Sequence, residues 1–584
     1  MTNSKPLFWH AYIERDDLSQ FGSASLMLFA LQMKFNIEDI STIAVNSLTD
    51  GSDDKKVDLV YIDAESGFAV IIQSYISNDF NKKEAPSNKA SDLNTAISWL
   101  FNRPIEELPI TIKSHADELR NAIEEGSISS IYIWYIHNLP ESQNVLNELI
   151  TVEHSAKSII SSKYETPEIE IQAQEIGVNT LNEWYQSLST PILINKDFHL
   201  PIEGGFKIDG KDWSAFVTSI PAQWLYEQFQ EYKTKLFSAN VRDYLGSRKT
   251  DKNINSGIKK TAYEDPRHFW VYNNGITALV HDFETESSND QSFINFKGIS
   301  IVNGAQTTGA IGNLDTHPDP SAMVQVRFIK CQNVNTVYDI VKYNNSQNKI
   351  TAPDFRSNDP IQSRLREEFE DIPSIKYFPR RGGHEDLIRR RSDVLPSVTA
   401  GQALAALHGD PDIAYHKKTN IWESDTLYSK YFNDQTSARH ILFAHSLIRA
   451  IENKKISLLN KIKLEDLTEI ESNQLDFYRK RGSIFMMASA IAKCFEIFLD
   501  KQIPNYFRLT FNEKLDIYQA IEIWNPLIEI SSSFSQPLME GLSDGFRNKK
   551  AVKSAIQIFQ SFISSTKQVN RRIYDNFENK VSIE

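Results

Sequence analysis

Short apolar runs alternate with a helical spacing of apolar residues in the first third of the chain. A helix is predicted over 17–35, and a second one over 144–160. Strands are predicted at 57–63, 68–76, 128–139 and 169–176, the first two forming a hairpin. This alternation is typical of an α/β domain, which we place at residues 1–187.

The middle of the chain contains two apolar runs that each end in Asn and Gly. The runs FWVY (269–272) and ISIV (299–302) predict short strands, because Asn and Gly tolerate the backbone of a tight turn. After Gly304 the sequence predicts the start of a helix, whose free N–H groups would point toward a bound anion. A strand at 324–331 and a helix at 337–350 complete a second α/β domain, which we place at 188–397.

The last third of the chain has helical periodicity with hardly a strand. Amphipathic helices are predicted at 437–455, 482–500 and 549–568. Residues 398–584 are therefore expected to form an all-α domain.

Composition narrows the class of protein. A net charge of −13 argues against a uniformly basic coat for nucleic acid, although it allows a local basic cleft. Cys331 and Cys494 are the only cysteines, so neither a disulfide framework nor a cysteine-based zinc site is expected. No signal peptide or long apolar span is present, so we expect a soluble, cytoplasmic protein without a membrane partner.

Familiar catalytic motifs are absent from the sequence. The 13 histidines form no HExxH pattern, and there is no Walker A loop or dinucleotide-binding fingerprint. Standard P-loop hydrolysis and hydride transfer are therefore not expected.

Five motifs rich in amide side chains follow one another in order between Leu236 and Asp410. In chain order their residues are Asn240, Arg242 and Gly246; Lys259 in IKKTA; Tyr272, Asn273, Asn274 and Gly275; Ile301, Val302, Asn303, Gly304, Gln306 and Thr307; and Asn345, Gln347 and Asn348. Together they resemble the AIPR family, the abortive infection phage resistance proteins. The resemblance implies membership of a bacterial antiphage group.

The run VNGAQTTGA is also similar to the DGQHR motif and to ParB-like partition domains. In those domains a Gly, an Arg three residues on and an Ala six residues on close a loop around a nucleotide phosphate. Gly304, Thr307 and Ala310 hold these positions here, and a Thr hydroxyl can bond a phosphate but cannot neutralise it. A compensating cation would have to come from Arg242, Lys259 or Arg327.

The resemblance therefore implies a phosphate or nucleotide site in the central domain. Its candidate residues are Asn240, Arg242, Asn273, Asn274, Asn303, Gly304, Gln306, Thr307, Arg327, Asn345 and Gln347. The alternative is that these amides only satisfy backbone groups of tight turns.

The predicted hairpin of the first domain contains Asp58, Gln73 and Tyr75. This spacing resembles the restriction-endonuclease-like fold of the Mrr type, in which an Asp and a Glu or Gln hold Mg²⁺ and a Lys two residues later orients the attacking water. The resemblance assigns the metal and catalytic positions to Asp58 and Gln73, but Tyr75 stands at the lysine position, and a neutral phenol supplies no charge. We expect a degenerate nuclease fold kept for binding or assembly. The alternative is that Lys82 or Lys83 replaces the missing lysine.

Two basic clusters suggest a track for phosphates. One lies between Lys233 and Lys260 and includes Lys259. The second contains Arg380, Arg381, Arg389 and Arg390 near Tyr377 and Phe378, a combination that suits a stacked base. The alternative is that these arginines pair with acidic residues such as Glu367 and Glu370 in a structural interface.

The sequence thus predicts an α/β plus all-α protein with an endonuclease-like, a ParB-like and a helical domain. The favoured function is binding of DNA or RNA by the central domain in antiphage defence. Three alternatives remain open: a nucleotide-binding switch with an NTP at 304–310, a nuclease that uses Mg²⁺, and an oligomeric scaffold. A phage component is a further expected partner.

Overall fold

The structure is a computed structural model, and it describes residues 6–49, 53–165, 169–189, 192–237, 249–288, 291–314, 316–331, 333–346, 356–357, 359–378, 394–464 and 466–583. It shows a mixed α/β protein with a helical C-terminal region. Among the described residues, no helix is both long and apolar enough to cross a membrane.

The strands are β1 (Leu59–Asp63), β2 (Phe68–Tyr75), β3 (Ser130–His137), β4 (Glu170–Ile176), β5 (Ile194–Ile202), β6 (Gly205–Asp209), β7 (Trp213–Pro221), β8 (Ile276–Val280), β9 (Asp282–Ser288), β10 (Gln291–Asn303), β11 (Met323–Cys331), β12 (Lys376–Phe378), β13 (Val394–Pro396), β14 (Thr510–Phe511) and β15 (Val581–Ser582).

The helices are α1 (Leu7–Ile13), α2 (Asp16–Ser19), α3 (Ser25–Phe35), α4 (Ile40–Ser47), α5 (Ser87–Ser91), α6 (Leu93–Ile97), α7 (Ile110–Glu124), α8 (Gln143–Lys163), α9 (Val178–Ser189), α10 (Ala222–Tyr232), α11 (Lys249–Glu264), α12 (Phe269–Tyr272), α13 (Ala305–Gly312), α14 (Val334–Ser346), α15 (Pro360–Glu370), α16 (Ser397–Leu407), α17 (Pro411–His416), α18 (Asn420–Glu423), α19 (Asp425–Tyr431), α20 (Ala438–Lys463), α21 (Glu469–Tyr478), α22 (Ser483–Lys493), α23 (Phe495–Phe498), α24 (Ile517–Ser533), α25 (Leu538–Gly541), α26 (Lys549–Ser565) and α27 (Arg571–Glu578).

The first sheet has the order β1-β2-β3-β4. β1 and β2 form the predicted antiparallel hairpin, whereas β3 and β4 run parallel to β2. Alternate side chains along β2 enter different cores: Ala69 and Ile71 join the cluster that includes helices α5 to α8, and Val70 and Ile72 join a larger cluster on the other face. The predicted strands and the helix at 144–160 are confirmed, because runs buried on both faces are apolar throughout.

The larger cluster joins the two ends of the chain. It runs from Phe8 to Val581 and includes Trp134 of the first sheet together with Phe443 and Trp524 of the helical region. The N-terminal sheet and the C-terminal helices therefore share one apolar core. The segment 356–378 belongs with it, since Leu365 and Phe369 of α15 lie in the same cluster.

The central sheet has its own core. Its strand order is β5-β10-β8-β11-β7-β6, with β9 paired to β10. One face packs under α10, α11 and α13 around Ile301 and Phe328, and the other carries a small cluster around Ile329 against α14. The strand predicted at 324–331 and the helix predicted at 337–350 are confirmed as β11 and α14, the latter described as far as Ser346.

Candidate functional site

The two Asn-Gly turns of the central sheet lie against each other. β10 ends at Asn303, which pairs with Thr277 near the start of β8. Gly275 and Gly304 both have left-handed backbones, with φ of 73° and 91°. A Cβ atom on Gly304 would come within 2.5 Å of Ile276 Cγ2 and 2.9 Å of the Gly275 carbonyl oxygen. Only glycine at 304 therefore allows the two turns to meet.

The strand predicted at 269–272 is wrong, because this segment is the short helix α12. Phe269 is fully buried and anchors the turn, whereas Trp270, Val271 and Tyr272 are 45%, 68% and 63% exposed. The Asn273 amide donates to the Phe269 carbonyl over 2.8 Å, which stabilises the end of the helical turn. The apolar side chains of FWVY thus form a surface rather than a strand in the core.

The chain after Asn303 starts a helix, as predicted. Gly304 is the N-cap of α13, and the Thr308 hydroxyl donates to its carbonyl oxygen over 3.0 Å. Gln306 is half-buried, but Thr307 is only 8% exposed. Most of the Thr307 side chain therefore lies inside the domain, where its hydroxyl has little access to a ligand.

Arg327 is a cation that lies close to the two turns. It lies on β11 beside Thr277, and its Nη2 donates to Thr277 Oγ1 over 3.0 Å and to Asn344 Oδ1 over 2.8 Å. The Asn344 amide nitrogen donates to the Ile340 carbonyl oxygen over 2.8 Å, which turns Oδ1 toward the arginine. The guanidinium is thus held in place, although the residue as a whole is exposed.

Arg327 belongs to a row of paired residues across five strands. We name this the Arg327 row; it comprises Asn303, Thr277, Arg327, Val217 and Phe206, each paired with its neighbour. Residues paired in this way point to the same face of a sheet, which holds for the row from Thr277 to Phe206, whereas Asn303 follows a shift of register in β10. Phe206, on the edge strand β6, is 57% exposed.

Helix α14 packs on the neighbouring part of that face and reaches the row through Asn344. Leu279 and Ile329 are the residues two positions further along β8 and β11, and they pack against Val337, Ile340 and Val341 of α14. On the other side of the row, Ser219 receives a hydrogen bond of 2.9 Å from the indole of Trp270. Trp270 of α12 therefore adjoins the Arg327 row.

Arg327 and Asn303 belong to the site predicted from the sequence, whereas the structure adds Thr277, Asn344 and Trp270. Asn344 is the first residue of the NNSQN motif, so a helical wheel of α14 would have placed it toward the sheet. Asn274 lies exposed at the turn, and Lys259 is exposed on α11. Asn240, Arg242, Gln347, Arg380, Arg381, Arg389 and Arg390 lie outside the described residues, and Asn345 lies within α14.

A second candidate site lies at the hairpin of the first sheet. Leu59 pairs with Ile72, so the preceding residue Asp58 stands opposite Gln73. Asp58 Oδ2 accepts bonds from the Ser74 amide at 2.6 Å and the Ser74 hydroxyl at 3.1 Å. Burial raises the pKa of the Asp58 carboxyl, and the negative charge of Asp54 adds to this rise.

Gln73 is 4% exposed, and its Oε1 has no hydrogen-bond partner among the described residues. Tyr75, two residues on, shares its face of β2. The Lys82 ammonium donates to the Tyr75 hydroxyl over 3.3 Å and lies 6.0 Å from the centre of its ring. The structure thus brings Asp58, Gln73, Tyr75 and Lys82 to one end of the sheet.

This hairpin site offers one carboxylate and one amide oxygen, a donor set that suits a hard cation completed by water and phosphate oxygens. No group of three or more His, Cys, Asp or Glu residues in the described part of the chain could hold a metal ion. Any Mg²⁺ here would therefore depend on its substrate for most of its ligands.

These features define a mixed α/β protein with a helical C-terminal region, whose central sheet presents a fixed arginine beside two glycine turns. The family model described as AIPR protein matches residues 237–536, more than half of the chain. The chain belongs to the AIPR family, which supports a role in abortive infection and phage resistance. Neither the curated proteins nor the solved structures contain a match to this chain.

Proposed function

We propose that this protein acts in antiphage defence by binding nucleic acid with its central sheet, through Arg327 and the two Asn-Gly turns. The observation that carries this proposal is the fixed guanidinium of Arg327, which lies next to Thr277, the partner of Asn303. A cation held by neighbouring side chains loses little conformational freedom when it contacts a phosphate.

The hydrogen bonds of Arg327 support this role. Both hydrogen bonds use Nη2, and no described residue accepts from Nε or Nη1. Three N–H groups thus remain for oxygens of a ligand. Asn303, which pairs with Thr277, is half-buried, and Asn274 is exposed in the turn before β8; both amides suit contacts to phosphate or sugar.

Fluorescence anisotropy with labelled DNA and RNA tests the proposal. Arg327→Ala should weaken binding roughly 10- to 100-fold, the loss expected for a hydrogen bond to a charged group. It should also lower the slope of log affinity against log salt by about one. Lys330→Ala is the matched control, since it removes a cation of the same strand that points to the other face and pairs with Asp282.

Equal binding by Arg327→Ala and Lys330→Ala contradicts the proposal, as does a lack of binding to both DNA and RNA. The nucleotide-switch alternative predicts instead a thermal shift with NTPs, because a ligand at a hundred times its dissociation constant adds about 2.7 kcal/mol of stability. The burial of Thr307 speaks against that alternative.

A second function, metal-dependent cleavage of phosphodiesters by the N-terminal domain, is favoured by Lys82. The domain's hairpin, its parallel crossovers and its helices on both faces of the sheet are consistent with a restriction-endonuclease-like fold. Tyr75 replaces the lysine of the resembled motif, but Lys82 delivers an ammonium group to the same place. The unpartnered Gln73 Oε1 would complete the cation site with Asp58.

The proposed organisation keeps three parts, at 1–187, 188–397 and 398–584, with a ParB-like central domain. Its support is the distribution of sheets: the first lies between Leu59 and Ile176, and the second between Ile194 and Cys331. Leu365 and Phe369 pack with the C-terminal helices, so the core of the central part ends before residue 356.

A further inference from the structure

We propose that the nucleic acid bound at the Arg327 row is a single strand, whose bases stack on the aromatic residues beside the row. This inference rests on the proposed function and specifies its substrate class. It is carried by three exposed aromatic side chains: Phe206 in the row, Trp270 beside it, and Tyr272 on the same short helix as Trp270.

The aromatic residues of α12 are held rigidly although they are exposed. The buried Phe269 anchors the helix, and the Trp270 indole is fixed to Ser219 at 2.9 Å. The Tyr272 ring stacks on His268 with centroids 5.4 Å apart and planes 15° from parallel. His268 in turn contacts Asp265 at 2.6 Å, so this short stack continues into the loop that precedes the helix.

Exposure of such side chains has a free-energy cost that a monomeric domain normally avoids. Removing large apolar side chains from water lowers the free energy of a protein, and contiguous exposed apolar groups mark interaction surfaces. Trp270, Val271 and Tyr272 are consecutive, and Trp270 adjoins a sheet face that α14 covers only in part. The surface is therefore suited to an occupant that offers flat apolar faces together with negative charge.

A single strand meets both requirements. Its unpaired bases can stack on Trp, Tyr and Phe, while its phosphates approach Arg327. The bases of a duplex are stacked on one another and leave these rings without a partner. Four strand spacings separate Asn303 from Phe206, or about 19 Å at roughly 4.8 Å each, which gives room for several nucleotides.

Anisotropy with oligo-dT, oligo-rU and duplexes of matched length tests this inference. We expect single strands to bind at least about tenfold more tightly than duplexes. Trp270→Ala and Tyr272→Ala should each weaken single-strand binding roughly 5- to 100-fold, as the loss of a stacked base does, without a change for duplexes. Tyr272→Phe retains the ring and should bind as the parent protein does.

Tyr518→Ala is the matched control, because Tyr518 is 60% exposed on a helix of the C-terminal region. Duplex binding as tight as single-strand binding overturns the inference, and so do aromatic variants that bind single strands like the parent. If Arg327→Ala still weakens binding in that case, the proposed function stands and only the single-strand specificity fails. No binding to any nucleic acid overturns both.

Discussion

Arg449 of helix α20 forms an ion pair of 2.7 Å with Asp39, the residue that caps helix α4. The same guanidinium contacts Glu452 at 2.6 Å, and Thr42 of α4 donates to Glu452 over 2.7 Å. Burial alone would raise the pKa of Asp39, but Arg449 lowers it to about 2. One arginine therefore compensates the negative charge of two buried carboxylates where α4 packs against α20.

Arg449→Ala should strongly destabilise the protein. Removal of the cation leaves the carboxylates of Asp39 and Glu452 buried without their partner, a change that typically costs about 3–5 kcal/mol. Urea unfolding followed by circular dichroism measures the loss. Arg571→Ala is the control, because it removes an exposed ion pair with Asp575 and should change the free energy of unfolding little. Equal losses of stability in the two variants would contradict the prediction.

Stability should fall as the pH drops from about 6.5 to about 4, partly because of His440. Burial lowers the pKa of His440 to about 4, so the unfolded chain takes up a proton in this window and the folded protein does not. Each such group reduces the free energy of unfolding by about 1.4 kcal/mol per pH unit across the window.

His440→Gln removes this titration and should flatten the pH dependence of unfolding between about 6.5 and 4. Urea titrations at a series of pH values give the slope. His408, whose Nε2 lies 3.1 Å from that of His440, contributes further because burial lowers its pKa to about 3. An unchanged slope in the variant would mean that His440 is protonated in the folded state.

Gly304→Ala should weaken both stability and nucleic-acid binding. The residue has a φ of 91°, and its new Cβ would meet the Gly275 carbonyl oxygen at 2.9 Å. The strained backbone alone costs about 1–3 kcal/mol. Gly257→Ala is the control, since no atom lies within 4 Å of its Cβ position and alanine favours the helix. If Gly304→Ala binds nucleic acid like the parent protein, the two turns do not contribute to the binding site.

If the N-terminal domain cleaves phosphodiesters, its activity should require Mg²⁺, Asp58 and Lys82. Asp58→Ala removes the carboxylate of the cation site, and Lys82→Ala removes the ammonium beside Tyr75. We expect at least about a 100-fold loss of cleavage in each, on the scale of a lost catalytic group. Lys83→Ala changes the neighbouring lysine of the same loop and should keep activity. A parent protein without cleavage would support the prediction of a degenerate fold.

Local patterns predicted most of the regular elements, because their signals lie within one segment. The single helix predicted at 17–35 is wrong, since α2 and α3 are separated there by a 3₁₀ turn at Gly22–Ala24. The hairpin of Asp58 and Gln73 could be predicted since its apolar runs and turn are adjacent in the sequence. The segment FWVY was misassigned because aromatic and β-branched residues favour strands locally, whereas here they form an exposed helical turn.

The residues that could not be predicted from the sequence come together through contacts between segments far apart in the chain. Thr277 joins the site only because the register of β8 places it between Asn303 and Arg327. Arg449 and Asp39 are 410 positions apart, and no local pattern connects them. Contacts of this kind follow from the packing of whole sheets and helices rather than from spacing along the chain.

The shared core has a consequence for synthesis of the protein. Helix α4 and the first sheet precede the central sheet in the sequence, but the helices that complete their core, through Phe577, follow it. The central sheet, which has a core of its own, is made in between. The nascent chain therefore exposes this apolar surface until those helices have been made, and such surface makes a partly synthesised chain prone to aggregation.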